Sequence, residues 1–368
     1  MAGHNQPRQQ QPDTSGWRLV GFIVLFLLFS GAGTWTIYTQ FAGRNFQFDE
    51  RLLNPWFILC AVILLGVYFV SDGLRLHYTL RALGHCLPFK HIFRLVFINI
   101  FFSNVTPMAT GGGVAQIWYL RRHGVRLGTA TAATTIRTVL AIAFIFTVTP
   151  ACLLWLDALQ GMAILDRIAG LLALFIVLYL GFFAVVLLRT RWLILLLSRL
   201  LRTLRRFHLL SPRRHSRWQY RMMREMTRFS RSFMIYVRGP RRFVLLSILF
   251  TLVFLVSLFS FPAVIMVALG YDVDYISTLG LLFVTTFVMY FAPTPGASGI
   301  SEGVFGTFFR SMLAPGHLVL VTLTWRFLTI YLGMFIGLIL MQVELSSGRR
   351  RAKAETRPSV TGTRDDPT

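Results

Sequence analysis

The chain has 368 residues, of which 55% are hydrophobic and 14% charged, well under the roughly 25% charged residues of soluble domains. That balance, with a mean hydropathy of +0.62, excludes an ordinary soluble enzyme. The formal charge of +23 fits cationic loops between apolar spans better than a nucleic-acid surface.

In chain order, residues 1–16 are polar and read as a disordered N-terminus. Stretches apolar and long enough to cross a bilayer follow at 17–39, 55–74, 127–150, 167–188, 243–269 and 317–341. The first reads as a retained span, because its apolar stretch is long and its basic flank thin for a signal peptide. Two further apolar stretches, 91–105 and 275–292, each end in a Thr-Pro turn and a glycine-rich run, then resume at 114–120 and 300–313. Neither arm reaches the length of a span, so 91–120 and 275–313 are expected to be re-entrant hairpins. Such hairpins are tolerated at membrane depth only when buried in protein or lining a cavity. The expected fold is an all-α polytopic membrane protein of about six transmembrane helices plus two re-entrant hairpins. Its halves are 17–188 and 243–345, joined by a basic linker at 189–242 and followed by a disordered basic tail at 346–368.

Arginine sets the expected orientation. Residues 189–242 carry sixteen arginines against one acid, Glu225. The segments 75–94 (Arg75, Arg81, Lys90, Arg94) and 121–126 (Arg121, Arg122, Arg126) are basic too, whereas 151–166 and 270–275 hold the acids Asp157, Asp272 and Asp274. By the positive-inside rule the basic group and both termini lie in the cytoplasm of a bacterial-type inner membrane. The first hairpin then enters from the cytoplasm and the second from outside, as in an inverted repeat.

The turns themselves repeat. Residues 106–111 read TPMATG and 294–299 read TPGASG; Thr135-Ile136-Arg137 ends thirty residues after Pro107, and Thr324-Trp325-Arg326 ends thirty-one after Pro295. Proline and glycine let the backbone turn sharply and come close to a ligand. A helix restarting after such a turn presents free N–H groups and a positive dipole end, which suit anions. The expected donors are Thr106, Thr110, Gly111, Gly112, Thr294, Ser298 and Gly299, with Gln116 beside them. Arg137 and Arg326 sit mid-span, where a charge costs roughly 2.5–3.5 kcal/mol and is usually paired or functional. Glu302 follows the second turn directly and Asp72 lies toward the cytoplasmic end of its span; the rival reading has helix-end carbonyls, Asp72 and Glu302 cap Arg137 and Arg326, with structure as their only role. With one buried carboxylate for two arginines, the core keeps positive charge, and guanidinium geometry suits a phosphate.

Other features are blander. Trp218, Met222, Met226, Phe229 and Phe233 recur at helical spacing between Arg217, Arg221, Arg224 and Arg228, as in a helix lying on an anionic membrane surface. A partner-docking helix is the rival reading. Cys60, Cys86 and Cys152 share no metal-type spacing, and His77, His85, His91 and His123 form no metal motif. No metal, cofactor or catalytic residue is expected, and the oligomeric state is left open.

NVTPMATGGGVAQIWYLRRHGV at 104–125, TATAATTIR at 129–137 and APTPGASGISEGVF at 292–305 resemble the lysylphosphatidylglycerol synthase transmembrane family, over roughly residues 17–345. The resemblance implies a flippase-like membrane protein. In some relatives this membrane part precedes a soluble aminoacyltransferase, and others are linked to polyprenyl-borne sugars or hopanoid-type lipids. The chain ends shortly after its last span, so synthase activity is not expected of it. It departs from many relatives at Ala297-Ser298, where they have more glycine, and at Gln116, where they carry an acid. The second departure leaves the first half without a carboxylate of its own.

The expected function is translocation of an anionic phospholipid or polyprenyl-phosphate-type lipid, with Arg137 and Arg326 holding the phosphate. Glu302 is expected to pair with an arginine or carry a coupling proton, and Gln116 to read a polar headgroup. The alternatives are a membrane-embedded transferase using Glu302 or Asp72 as base, and a scaffold that transports nothing.

Overall fold

The computed structural model describes residues 48–155 and 231–355, with a few isolated positions elsewhere. The expected spans at 17–39 and 167–188, and the surface-helix residues Trp218, Arg221, Met222 and Phe229, lie outside the described residues. So do residues 1–16 and 356–368. The described residues form helices and no strand.

After a 3-10 turn at Glu50–Leu53, helix α1 runs Pro55–Ala82, α2 Phe89–Val105, α3 Thr110–Arg122 and α4 Leu127–Trp155. The second half repeats that order: α5 Arg241–Ala268, α6 Tyr275–Met289, α7 Ile300–Phe309 and α8 Pro315–Arg326. A π turn at Phe327–Tyr331 then joins α8 to α9, Leu332–Glu355. Each half is thus a long helix, two short arms and a long helix. The four long segments in the described part (55–82, 127–153, 241–268 and 315–344) are long and apolar enough to cross a membrane. The last helix continues to Glu355, into the segment expected as tail.

Local chemistry explains the boundaries. Asn54 accepts the Trp56 N–H and Pro55 opens α1, a helix start in which the missing proline N–H costs nothing. Asp274 caps α6 by accepting N–H groups of Ile276 and Ser277. Both hairpin turns use left-handed backbone at the two positions after proline: Met108 and Ala109 (φ +52° and +53°), then Gly296 and Ala297 (φ +56° and +53°). The two Thr-Pro-x-Ala turns are therefore conformational copies, not only sequence copies.

The halves are related by inversion. Arg51, just ahead of α1, donates from Nη1 to the Leu269 carbonyl just past the end of α5 (2.7 Å). At the other end, a Cβ on Gly239, just before α5, would stand 2.6 Å from the Ala82 carbonyl that closes α1. Equivalent long helices therefore lie side by side and antiparallel. Tyr68 stacks on Phe254 between them (5.3 Å), and Phe261 meets Tyr68 edge-on. The first arm of each hairpin also packs on the last helix of the opposite half. A Cβ on Gly337 of α9 would meet the Phe97 carbonyl of α2 at 2.2 Å, and Phe146 of α4 contacts Phe287 of α6 at 4.7 Å. The outward faces of α1, α5 and α9 carry exposed Val62, Ile63, Leu245, Leu249, Phe335 and Ile339, as lipid-facing surfaces require.

The inversion brings the hairpin tips together. Pro107 and Pro295 form an isolated antiparallel β-bridge, so the two turns meet head to head.

Candidate functional site

Among the described residues the buried charged side chains are Asp72, Arg75, Arg137, Glu302 and Arg326, none more than 7% exposed. They form two clusters, one in each half.

In the first, Arg137 on α4 donates from Nη2 to both oxygens of Asp72 on α1, at 2.5 and 2.6 Å. Arg75, one helical turn after Asp72, donates from Nε to the same carboxylate at 2.7 Å, and its Nη2 lies 2.5 Å from Oδ1. The Arg75 guanidinium also sits over the Phe254 ring of α5, 3.7 Å from its centroid, a cation–π contact that ties the cluster to the other half. One carboxylate thus serves two guanidiniums. Arg75 Nη1 and Arg137 Nε are buried and have no hydrogen-bond partner.

In the second cluster, Arg326 at the end of α8 reaches the second hairpin tip. Its Nη1 and Nη2 donate to the Gly296 carbonyl (3.2 Å each) and Nη2 to Ser298 Oγ (3.1 Å). Its Nε lies 2.9 Å from Glu302 Oε1, an ion pair whose N–H is not aimed along a hydrogen-bond direction. Glu302 caps the start of α7 from its third position: its Oε2 accepts the Gly299 N–H (2.6 Å) and the Ser301 hydroxyl (2.8 Å). Guanidinium, carboxylate and turn are therefore one connected unit.

The hydroxyls expected as ligand donors are used within the turns. Thr106 Oγ1 donates to the Phe102 carbonyl and accepts the Gly111 N–H (2.7 and 2.8 Å). Thr110 donates to the Pro107 carbonyl, and Thr294 to the Ser298 carbonyl. Gly111 and Gly112 are glycines because the hairpin closes tightly there. A Cβ on Gly112 would fall 1.8 Å from Ser103 Oγ, and one on Gly111 2.5 Å from the Thr106 methyl. Gln116 is 3% exposed, and its Oε1 accepts no hydrogen bond. A Cβ on Gly113 would lie 3.8 Å from Thr134, which places the first turn of α3 against the stretch of α4 that carries Arg137.

Three expectations are corrected. Arg75 is not a loop cation: α1 runs to Ala82 and buries it. Asp72 does not mark the end of a span, since ten more helical residues follow it. The first half does not lack a carboxylate either, because Asp72 supplies it from the preceding helix. Arg75 is the member of the site that sequence reading missed. The available signal was Asp-x-x-Arg at 72–75, a spacing that puts both residues on one helix face.

A family model, the lysylphosphatidylglycerol synthase TM region, matches residues 19–337. A UPF0104 membrane protein of Archaeoglobus fulgidus is 24% identical over 292 residues, 79% of this chain and 87% of the relative. A second UPF0104 membrane protein, from Methanocaldococcus jannaschii, is 36% identical over 70 residues, 19% of this chain and 21% of that protein.

Proposed function

The chain belongs to the lysylphosphatidylglycerol synthase transmembrane-region family, and on that footing we propose that it moves an anionic, phosphate-bearing lipid headgroup through the junction of its two hairpins. It is a multi-pass membrane protein; Arg81, Lys90 and Arg94 and the basic segments 121–126 and 189–242 support a cytoplasmic face there and an inner-membrane setting.

One observation carries the reading. Among the described residues the bundle buries three arginines and two carboxylates, of which Arg326 and Glu302 hold the second hairpin tip, leaving one formal positive charge in a water-poor interior. Burying an uncompensated charge is costly, and such residues in membrane segments mark ligand paths. An anion would complete the set, and Arg75 Nη1 and Arg137 Nε are guanidinium N–H groups that Asp72 leaves over. The antiparallel halves supply the mechanism, since rocking one inverted repeat against the other exposes a central site to each face in turn.

Group transfer is less well supported. A general base needs a free lone pair facing its proton donor. Both Asp72 oxygens are held by guanidiniums, while Glu302 Oε2 accepts from Gly299 and Ser301 and its Oε1, which accepts no hydrogen bond, faces only the Arg326 guanidinium at 2.9 Å.

The test is leaflet exchange in reconstituted vesicles, read by dithionite quenching of a fluorescent phosphatidylglycerol analogue. The wild-type protein accelerates exchange over empty vesicles. Arg137→Lys and Arg326→Lys, which keep the charge but lose the planar fork, slow it by at least about tenfold, the factor from a loss of about 1.4 kcal/mol. Lysine variants that elute as monodisperse protein and exchange lipid at the wild-type rate would remove the arginines from the mechanism.

A further inference from the structure

The two hairpin turns share one backbone conformation and differ in what holds them. The second tip is anchored by side chains beyond the turn. Arg326 on α8 donates to the Gly296 carbonyl and to Ser298 Oγ, while Glu302 on α7 accepts the Gly299 N–H. Pro295 and Ala297 are buried, and Ser298, Ser301 and Glu302 are at most 1% exposed.

The first tip has no such anchor among the described residues. Arg137, the counterpart of Arg326, donates to Asp72 on α1 and not to the turn. Apart from the bridge at the prolines, the hydrogen bonds of Thr106, Thr110 and Gly111 stay within the hairpin. Ala109 stands at the N-cap of α3 and offers no side-chain acceptor. Ala109 and Thr110 are exposed, as are Met108 (64%) and Val114 (61%). Gly111, Gly112 and Gly113 lie in the first turn of α3, and glycine is the poorest helix former after proline. The tight contacts of Gly111 and Gly112 are with their own hairpin, at Phe102, Ser103 and Thr106, whereas a Cβ on Gly113 would only touch Thr134 of α4 at 3.8 Å. The arm α2 is itself pressed onto α9 at Gly337, so the loose part is the tip and the first turn of α3.

We propose that the inverted repeat is mechanically unequal: the second tip is a fixed post, and the first, residues 107–114, is the gate that moves against it. The gating role rests on the lipid-translocation reading above; the difference in mobility does not. The energetic contrast favours the first tip as the part that yields. Moving the second would pull Arg326 and Glu302 from their partners and strand buried charges, which is far costlier than fraying one glycine-rich helical turn. The junction can therefore open while the guanidinium, carboxylate and turn of the second half stay joined.

The experiment is hydrogen–deuterium exchange of the full chain in nanodiscs of phosphatidylglycerol and phosphatidylcholine, read by mass spectrometry, beside leaflet exchange in vesicles of the same lipids. Because the tips touch at the prolines, both sets of amides lie at one depth, and depth cannot account for a difference. Amides at 108–114 are expected to be at least about tenfold less protected than those at 296–302. Gly113→Ala is expected to raise protection at the first tip and to slow leaflet exchange about fivefold, the preference of a helix for Ala over Gly. Gly303→Ala, whose Cβ would meet nothing within 4 Å, adds the same preference to the post and is expected to leave exchange unchanged. Thermal midpoints at or above that of the wild type show both variants to be folded. Equal protection at the two tips, or more at the first, overturns the inference whatever the lipid does. So does a Gly303→Ala protein slowed as much as Gly113→Ala, or a folded Gly113→Ala protein that exchanges lipid at the wild-type rate. Wild-type protein that exchanges no lipid above empty vesicles ends the translocation reading and the gating role with it, while a difference in protection would still mark the first tip as the looser one.

Discussion

Met108 and Gly296 occupy the same place in their two turns and the same left-handed backbone, at φ +52° and +56°. For a residue with a Cβ that conformation costs about 1–2 kcal/mol, and Met108 is 64% exposed, so it recovers little by packing. Met108→Gly should therefore raise the thermal midpoint in detergent, by the equivalent of up to about 1 kcal/mol once the added chain entropy is deducted. Gly296→Met should lower it, since the strain would arise where Arg326 holds the Gly296 carbonyl. Asp274 makes a second case at this scale. Hydrogen bonds from Ser277 first, and then from the amides of α6, hold its carboxyl below the usual carboxylate range. The cap is thus in force above the unfolded pKa of about 3.9 and fades as pH falls through the lower folded value. In melts across acid pH, the gap between wild type and Asp274→Ala should be widest near neutrality and close below about pH 4. A gap that widened on acidification would refute the capping role.

At the scale of elements, glycine marks where helices touch. A Cβ on Gly337 would meet backbone, the Phe97 carbonyl at 2.2 Å, whereas one on Gly66 of α1 meets nothing within 4 Å. Gly337→Ala should cost about 1–3 kcal/mol by overpacking. Gly66→Ala should be neutral or stabilising by up to about 1 kcal/mol, because Ala is the better helix former. Thermal melts of the two variants settle the contrast. The breaks in the chain were legible beforehand because Pro107, Pro295 and their glycines act locally, through backbone geometry. The thirty- and thirty-one-residue spacings to Arg137 and Arg326 were legible as a repeat for the same reason. The Asp72–Arg137 pair was legible only as the purely structural alternative, because its partners lie 65 residues apart and nothing local fixes which arginine Asp72 meets. Arg75 was hidden by a different cause: a basic residue near a span end reads as loop, and only the length of α1 shows it to be core.

For the whole molecule, the contact between tips is the feature that no local pattern announces. Positions 107 and 295 meet only because the halves run antiparallel. If translocation requires the tips to part, fastening them must stop it. Pro107 and Pro295 face each other in the antiparallel bridge, and directly opposed residues have Cβ atoms about 4.5–5.5 Å apart, within reach of a disulfide. The double variant Pro107→Cys/Pro295→Cys should lose leaflet exchange on oxidation and regain it with reductant, while each single cysteine stays indifferent to both. Exchange that persists through complete cross-linking would mean that lipid travels by another route.

Proline at both faces of that joint has its own effect. Neither residue owns an amide hydrogen, so no rung can form through either one and no sheet can grow outward from the meeting point. The two hairpin tips are consequently fastened by a clasp one residue wide: enough to register them, too little to weld them.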